Sequence, residues 1–378
     1  MPAPAYPGEG AISLCAGPGG FDQAARVLGG LPDFLGFDIS EDACNTARTA
    51  GFRRHRTDIT TLRPADFPDA HTLLFTPPCP PFSSAGKGIG RHHDHPIVHA
   101  AIVHAGTANP AITYTVEGKP RPGCGCTWDQ IRRTLDACQD PLSPLVAWTI
   151  AFALGMPNLR TLILEEVPGV EDLFRTIADQ LERNGWQHTN VFINQAADLG
   201  LPTLRRRVFL IAHRDTTSTA TVTPGHRYLP RTTLADALDW PGGQVIVTRG
   251  ERKTPGGNGF PADKTGWCLT GKARNWKRLS PGGPDFATAP LAFTVEEGSL
   301  LLGFPADFPW QGSRSSIFQQ IADVVSPLAG IGVLAAAYRR PWQETLHAYY
   351  RTLYCAATPP AATAPLWIPN ATGQYTLI

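Results

Sequence analysis

The stretch Leu73–Ser84, LLFTPPCPPFSS, decides how this chain is organised. Its first three residues form an apolar run that predicts a buried strand, and the prolines that follow cannot continue a sheet ladder. We therefore expect Cys79 to lie in a stiff loop at the carboxyl end of a strand, where open α/β sheets bind their ligands. A thiolate is a strong nucleophile, although a lone cysteine is more often an inert buried residue.

The composition is that of a globular chain without strong overall charge. Of the 378 residues 42% are hydrophobic and 17% are charged, and the net charge is +1. We expect one large and one smaller domain, and a nucleic-acid surface would have to be local. No run approaches the roughly 20 apolar residues that span a bilayer, and residues 1–10 lack an export signal. These features predict a cytoplasmic protein without membrane contact and with reduced cysteines.

Three segments before Cys79 each end a short strand with a residue suited to ligand binding. Residues 11–28 predict a strand, a glycine-rich turn and a helix, and glycines let a backbone approach a nucleotide-like ligand closely. Asp38 ends a second strand about 20 residues on, where a carboxylate can accept from ribose hydroxyls. Asp58 follows a third predicted strand. Together they predict a doubly wound α/β sheet that holds an adenosine-containing cofactor.

Charged side chains also mark two later strands. Glu165 and Glu166 end an apolar strand and precede a Pro-Gly turn, which places them at the same sheet edge as Cys79. Arg205 and Arg207 would share one face of an extended chain, with Arg206 on the other. For each pair a solvated turn is the open alternative. Fixed cations and a buried acid at a sheet edge are suited to stabilising charge on a bound ring.

These segments resemble, in order, the motifs of the cytosine-5 DNA methyltransferase family, over about residues 11–340. The resemblance implies a Rossmann-like methyltransferase sheet with a second, smaller target-recognition domain, and S-adenosyl-L-methionine as cofactor. It implies that Cys79 adds to carbon 6 of a cytosine flipped out of duplex DNA. Glu165 would stabilise the ring at nitrogen 3, with Arg205 and Arg207 beside it, while carbon 5 takes the methyl group.

The residues that the resemblance assigns to the cofactor are Cys15, Gly17, Gly19, Gly20, Phe21, Asp38, Ile39, Asp58, Ile59, Pro78, Asp323 and Val324. The Gly17 turn would lie against the methionine part, and Asp38 would bind the ribose. Ile39 would pack on the adenine and Asp58 would bond its amino group.

The same comparison implies four segments. Residues 1–212 would form the catalytic and cofactor-binding domain, with an irregular insertion at about 88–143, and 213–290 a small, locally basic target-recognition domain. Residues 291–345 would return to the catalytic domain, and 346–378 would be a C-terminal extension. The insertion contains several histidines and cysteines, but their spacing fits no standard pair of zinc knuckles, so we predict a surface insertion and no metal.

The sequence therefore predicts a monomeric enzyme that acts on double-stranded DNA. Four positions depart from the family pattern: Cys15 replaces an aromatic residue, Glu166 and Asp323 replace asparagines, and Thr203 replaces a glutamine. They leave open a catalytically silent DNA- or partner-binding relative. Methylation of tRNA is the other alternative, because RNA readers need less groove-shaped surface.

Overall fold

The computed structural model describes residues 5–78, 80–83, 88–116, 118–215, 222–223, 225–248, 259–279 and 291–355, and two short strands at 367–369 and 375–377. Cys79 lies outside these described residues, as do Arg249, Arg252 and Lys253 of the predicted recognition domain.

The described strands and helices alternate along the first half of the chain. The strands are β1 (Ala11–Leu14), β2 (Leu35–Asp38), β3 (Arg54–Arg56), β4 (Thr72–Phe75), β5 (Thr113–Val116), β6 (Lys119–Pro122), β7 (Thr161–Glu166), β8 (His188–Gln195), β9 (Arg206–His213), β10 (Val245–Val247), β11 (Gly259–Pro261), β12 (Lys277–Leu279), β13 (Leu291–Ala292), β14 (Trp367–Pro369) and β15 (Tyr375–Leu377). The helices are α1 (Gly20–Leu28), α2 (Glu41–Thr49), α3 (His95–Thr107), α4 (Trp128–Ile131), α5 (Leu145–Gly155), α6 (Glu171–Arg183), α7 (Leu234–Leu238), α8 (Val295–Leu301), α9 (Arg314–Asp323), α10 (Pro327–Tyr338) and α11 (Gln343–Tyr354).

A seven-stranded sheet in the order β3-β2-β1-β4-β7-β9-β8 forms the centre of the fold. Each neighbouring pair from β3 to β7 is parallel, and β9 runs antiparallel to both β7 and β8. The predicted α/β class with a mostly parallel sheet is confirmed. The strand order reverses direction between β1 and β4, and in open α/β sheets the crevice at such a point is where ligands bind.

The sheet is covered on both faces, as the apolar run in β4 predicts. Successive side chains of a strand point to opposite faces, so Leu73 and Phe75 pack into one core and Leu74 into the other. The first core includes residues of α3, α5 and α6, and the second includes residues of α1, α10 and α11. Two buried layers hold β4 rigidly, and with it the start of the loop that carries Cys79.

The helix pair α9–α10 corrects one expectation from the sequence. By length and composition Arg314–Tyr338 qualifies as a membrane-spanning candidate in the described part of the chain, although no such run was expected. Its most apolar window is 89% buried within the fold. The helix also breaks between Asp323 and Pro327, and α10 packs against α1. Burial against the sheet accounts for this apolar composition.

The segment 88–143 is less irregular than predicted. Helix α3 has 13 residues, and Val98 and Ile102 are fully buried in the core that it shares with α5 and α6. Ile131 and Leu135 extend the same core. The expectation of an irregular surface insertion is therefore wrong for α3, because its apolar face covers the sheet. The hairpin β5–β6 is the exposed part of this segment.

A small antiparallel sheet, β11-β10-β12-β13, falls largely within the segment predicted for target recognition. Its core contains Ile246, Phe260 and Trp276, and Phe304 and Phe318 from the following segment complete it. At the other predicted boundary, α11 crosses residue 346 and buries Leu346 and Leu353 against α10. Side chains of the C-terminal extension after Cys355 lie outside the described residues.

Candidate active site

Asp38, at the end of β2, holds the glycine turn that follows β1. Its Oδ2 accepts a hydrogen bond from the Gly17 N–H at 2.8 Å, and its Oδ1 accepts from the Ser40 N–H at 2.8 Å. A carboxylate oxygen has two lone pairs, so each oxygen keeps one for a ligand hydroxyl. The structure thus brings Asp38 and the Gly17 turn together.

Glycine is required at two positions of this turn for different reasons. Gly17 has a φ of +56°, which favours glycine, and a side-chain atom added there would meet open space. Gly20 lies so close to the Val325 carbonyl that no side chain fits. The turn is therefore open at Gly17, where a ligand fits. At Gly20 it is packed against Val325, which lies more than 300 residues later in the chain.

The cofactor residues predicted after β2 and β3 separate into exposed and buried ones. Ile39 is 66% exposed and follows Asp38 directly, which leaves its side chain available to a ring. Ile59 is 4% exposed and belongs to the core. Asp58 is exposed, and its Oδ1 accepts from the Thr60 N–H at 2.9 Å and the Thr60 hydroxyl at 2.8 Å.

Cys15, which replaces the family's aromatic residue, is half-buried with a φ of +54°. Burial raises the pKa of its thiol well above the usual range, and the charges of Asp38 and Asp58 raise it further. The Cys15 thiol is therefore uncharged and does not act as a second nucleophile. Its carbonyl accepts from the Thr76 hydroxyl at 2.7 Å, which joins the loops after β1 and β4.

Arg54 is a functional residue that the sequence analysis missed. Its side chain is 0% exposed, and its Nε donates to the Gly17 carbonyl at 3.1 Å. Its Nη2 pairs with Asp22 in α1 at 2.8 Å. Asp38 therefore holds the N–H of Gly17 while Arg54 holds its carbonyl. All three residues of β3 are basic, so the sequence did not indicate that Arg54 is the buried one.

The loop that carries Cys79 lies against the turn after β7. Phe82 is 1% exposed, and its carbonyl contacts Gly169 so closely that only a glycine fits there. Pro77 is buried and Pro78 is half-buried at the other side of the loop. Phe82, three residues after Cys79, is thus packed beside the turn that follows the strand of Glu165.

Glu165 is a buried acid paired with Arg207. Its carboxyl is 3.1 Å from the Arg207 Nε, and Glu165 is 5% exposed. Burial raises the pKa of Glu165, while Arg207 and Arg205 oppose the rise. The raised pKa agrees with the predicted role, because an acid must keep a proton near neutral pH to bond a ring nitrogen.

Glu166, which replaces the family's asparagine, is 1% exposed and accepts a hydrogen bond from the Val167 N–H. Burial raises the pKa of Glu166 well above its usual range, and the neighbouring Glu165 adds to the rise. A protonated carboxyl offers one donor and an acceptor, as an amide does. The substitution of the usual asparagine therefore keeps a neutral hydrogen-bonding group at this position.

The three arginines alternate as expected, and Arg205 and Arg207 line one cavity with Glu165. Arg206 is exposed, Arg207 is half-buried, and Arg205 is 2% exposed. The Arg205 guanidinium donates to the carbonyls of Ala322 at 2.8 Å and Val324 at 2.7 Å. These bonds fix the break between α9 and α10, so Arg205 is a positioning residue.

The break that Arg205 fixes also reaches the cofactor turn. Val324 is 6% exposed and packs beside Gly20, whereas the Asp323 side chain is exposed and its Oδ2 accepts from the Gln319 amide at 2.7 Å. Thr203, in the place of the family's glutamine, is buried and donates to the Leu301 carbonyl at 3.1 Å. Phe21 is buried against α10. Thr203 thus supports the return segment.

Residues 10–101 match the family model described as C-5 cytosine-specific DNA methylase. The resemblance predicted from the sequence is confirmed over this segment, and S-adenosylmethionine is the methyl donor that the family implies. The open side of the Gly17 turn, the free lone pairs of Asp38 and the exposed Ile39 fit such a ligand. The family match supports cytosine methylation in general terms.

Solved structures share the fold across 87% of this chain. A methyltransferase of Entamoeba histolytica, EhMeth, has a TM-score of 0.57 at 13% identity, with 98% of its chain covered. The Dnmt2 methyltransferase of S. pombe has 0.57 at 16%, with 98% covered. A prophage-encoded putative DNA modification methyltransferase from E. coli has 0.52 at 16%, with 98% covered. No curated protein matches the chain. At these identities the likeness shows the fold.

Proposed function

We propose that this protein transfers a methyl group from S-adenosylmethionine to carbon 5 of a cytosine flipped out of double-stranded DNA. The observation that carries the proposal is the buried Glu165–Arg207 pair at the end of β7. It lies beside the loop that bears Cys79 and on the same sheet edge as the Gly17 turn.

The proposed reaction begins at Cys79. Its thiolate forms a bond to carbon 6 of the ring, and the electron pair of the 5,6 double bond becomes available at carbon 5. S-adenosylmethionine, when bound, supplies an electrophilic methyl group, which carbon 5 takes. A base then removes the carbon 5 proton, the double bond re-forms and Cys79 leaves as a thiolate.

The raised pKa of Glu165 supports the acid role that this reaction needs. Attack at carbon 6 makes nitrogen 3 more basic, and a carboxylic acid can donate a proton to it as the charge develops. Arg207 holds the carboxyl from one side, which fixes its direction. Because the burial of Glu165 excludes water, its hydrogen bond to the ring is stronger than the same bond in solvent.

A basic and aromatic surface around the small sheet supports a nucleic-acid substrate. Lys264, Lys272 and Lys277 are exposed there, and Trp267 is 45% exposed. The Arg278 guanidinium stacks over the Trp240 ring at 4.4 Å, which keeps a fourth cation at this surface. Lysines would contact phosphates without reading the base sequence. Because the net charge of the chain is only +1, a nucleic-acid surface has to be local, as this one is.

Methyl transfer to defined substrates tests the proposal. Purified protein with methyl-labelled cofactor is expected to label duplex DNA, and Glu165→Gln should label it far more slowly. An exposed-site variant, Arg206→Ala, is the matched control and should label DNA at a near-normal rate. Label in tRNA with none in DNA would replace DNA by RNA as the substrate, and no label in either would favour a catalytically silent relative.

A further inference from the structure

Three side chains with metal-binding atoms meet away from the candidate active site. His104 lies in the last turn of α3, and Cys124 and Cys126 follow the hairpin β5–β6. Their ligand atoms all lie within 4.8 Å of one another, and the His104 Nε2 is 3.4 Å from the Cys124 sulfur. The two cysteines, joined to each other as a disulfide, are the exception to the predicted reduced state.

The backbone between the two cysteines is arranged to present both sulfurs. Gly125 has a φ of +69°, in the region that favours glycine, and its N–H donates to the Ala108 carbonyl at 2.8 Å. This bond holds the Cys-Gly-Cys segment against the end of α3. The Cys126 N–H donates to the Cys124 sulfur at 3.2 Å. A donor aimed at sulfur favours the thiolate, which is the form that binds metals.

We propose that His104, Cys124 and Cys126 bind one zinc ion when the two cysteines are reduced, with water as the fourth ligand. Zinc binds cysteine sulfur and histidine nitrogen tetrahedrally, and its usual bond lengths separate a nitrogen from a sulfur ligand by roughly 3.5 Å. The distance of 3.4 Å between the His104 Nε2 and the Cys124 sulfur is close to this separation. Thiolate ligands favour zinc over magnesium or calcium.

The chemistry of binding is a simple exchange of protons for metal. Two thiols lose their protons, the neutral imidazole of His104 supplies its Nε2 lone pair, and no electrons are transferred. The disulfide form lacks both thiolates, so oxidation and zinc binding exclude each other. Cys124 is exposed and Cys126 and His104 are half-buried, which leaves room for a water molecule at the fourth position.

The bound ion would join the exposed hairpin to the buried part of the fold. Helix α3 packs against α5 and α6, and the Cys-Gly-Cys segment follows the exposed strand β6. A ligand that binds the folded state alone raises its stability in proportion to the logarithm of ligand concentration over Kd. Zinc is therefore expected to raise the Tm of the reduced protein.

Cobalt titration of the full chain tests the site. The protein is reduced with a phosphine, freed of metal with a chelator and titrated with Co²⁺ and then Zn²⁺. One equivalent of Co²⁺ should give thiolate charge-transfer absorption and the visible bands of tetrahedral cobalt, and Zn²⁺ should abolish both. Cys124→Ser and His104→Ala should each weaken binding at least tenfold. Cys138→Ser, at a free cysteine outside the cluster, is the matched control and should bind normally.

Two results would overturn the proposal. The first is a reduced protein, with its thiols counted, that shows no cobalt absorption. The second is equal loss of binding in Cys138→Ser and Cys124→Ser, because the metal would then be held elsewhere. Circular dichroism shows whether each variant is folded, and Cys126→Ser replaces Cys124→Ser if the latter fails to fold.

Discussion

Replacing Arg54 by methionine is predicted to destabilise the protein and to weaken cofactor binding. The substitution keeps an unbranched side chain of similar length but leaves the Asp22 carboxylate buried without its cation. Breaking a buried ion pair by removing one partner costs about 3–5 kcal/mol. A domain typically has a free energy of unfolding of about 5–15 kcal/mol, so the variant should remain folded but lose much of that free energy.

The neighbouring residue provides a matched control. Arg53 pairs with Glu9 at the surface, where the two side chains are 47% and 21% exposed. Pairs between exposed groups contribute about 0–1 kcal/mol. Equilibrium unfolding in urea, followed by tryptophan fluorescence, should therefore show a large loss for Arg54→Met and a small one for Arg53→Met.

The same two variants separate stability from positioning. Arg54→Met removes the donor to the Gly17 carbonyl, whereas Arg53→Met leaves it in place. A hydrogen bond from a charged group contributes roughly 1.5–3 kcal/mol, so Kd for S-adenosylmethionine by calorimetry should rise about tenfold or more in Arg54→Met. Equal unfolding free energies for the two variants, or unchanged Kd in Arg54→Met, would refute this account of Arg54.

Three further predictions concern the end of β7 and the start of β9. Glu165→Gln should slow methyl transfer by about 10²–10⁴, because the amide can donate a hydrogen bond but cannot transfer a proton. Arg206→Ala should do little beside Arg205→Ala, which loses the bonds that fix residues 322–324; steady-state rates on one DNA substrate compare all three. Glu166→Gln should stabilise the protein increasingly as pH rises above about 4.5. Because the pKa of Glu166 is raised, the folded wild-type protein holds a proton that the unfolded chain releases above about pH 4.5, and the stability of the wild-type protein falls as pH rises. Urea unfolding at pH 5 and at pH 8 measures the difference in stability between the variant and the wild type. The same difference at both pH values would contradict this prediction.

The strand ends of the candidate site could be predicted because they depend on local patterns. The apolar run before Cys79 predicts β4, which is fully buried, and acids at strand ends predict the positions of Asp38 and Glu165. Parallel strands bring these ends to one edge regardless of the sequence between them. The alternation of Arg205, Arg206 and Arg207 follows from the period of an extended chain.

The partners of buried charges could not be predicted, because they depend on contacts between distant segments. Arg54 reaches Gly17 across 37 residues, and Arg205 reaches Val324 across 119. Contacts at such sequence separations produce no periodic pattern in the sequence. His104 and Cys124 meet because α3 and the hairpin turn back on each other, and their spacing matches no standard zinc motif. Helix α3 itself was not predicted, although most of its residues are apolar and Val98 and Ile102 are buried.

Covalent capture of the substrate tests the central claim most directly. Duplex DNA with 5-fluorocytosine at the target should form a stable adduct with the wild-type protein and cofactor, because fluorine cannot leave as a cation and the last step stops. Mass spectrometry of the digested adduct should place the DNA on Cys79, and Cys79→Ser should form no adduct and transfer no methyl group. An adduct on another residue, or methyl transfer by Cys79→Ser at a near wild-type rate, would contradict the mechanism.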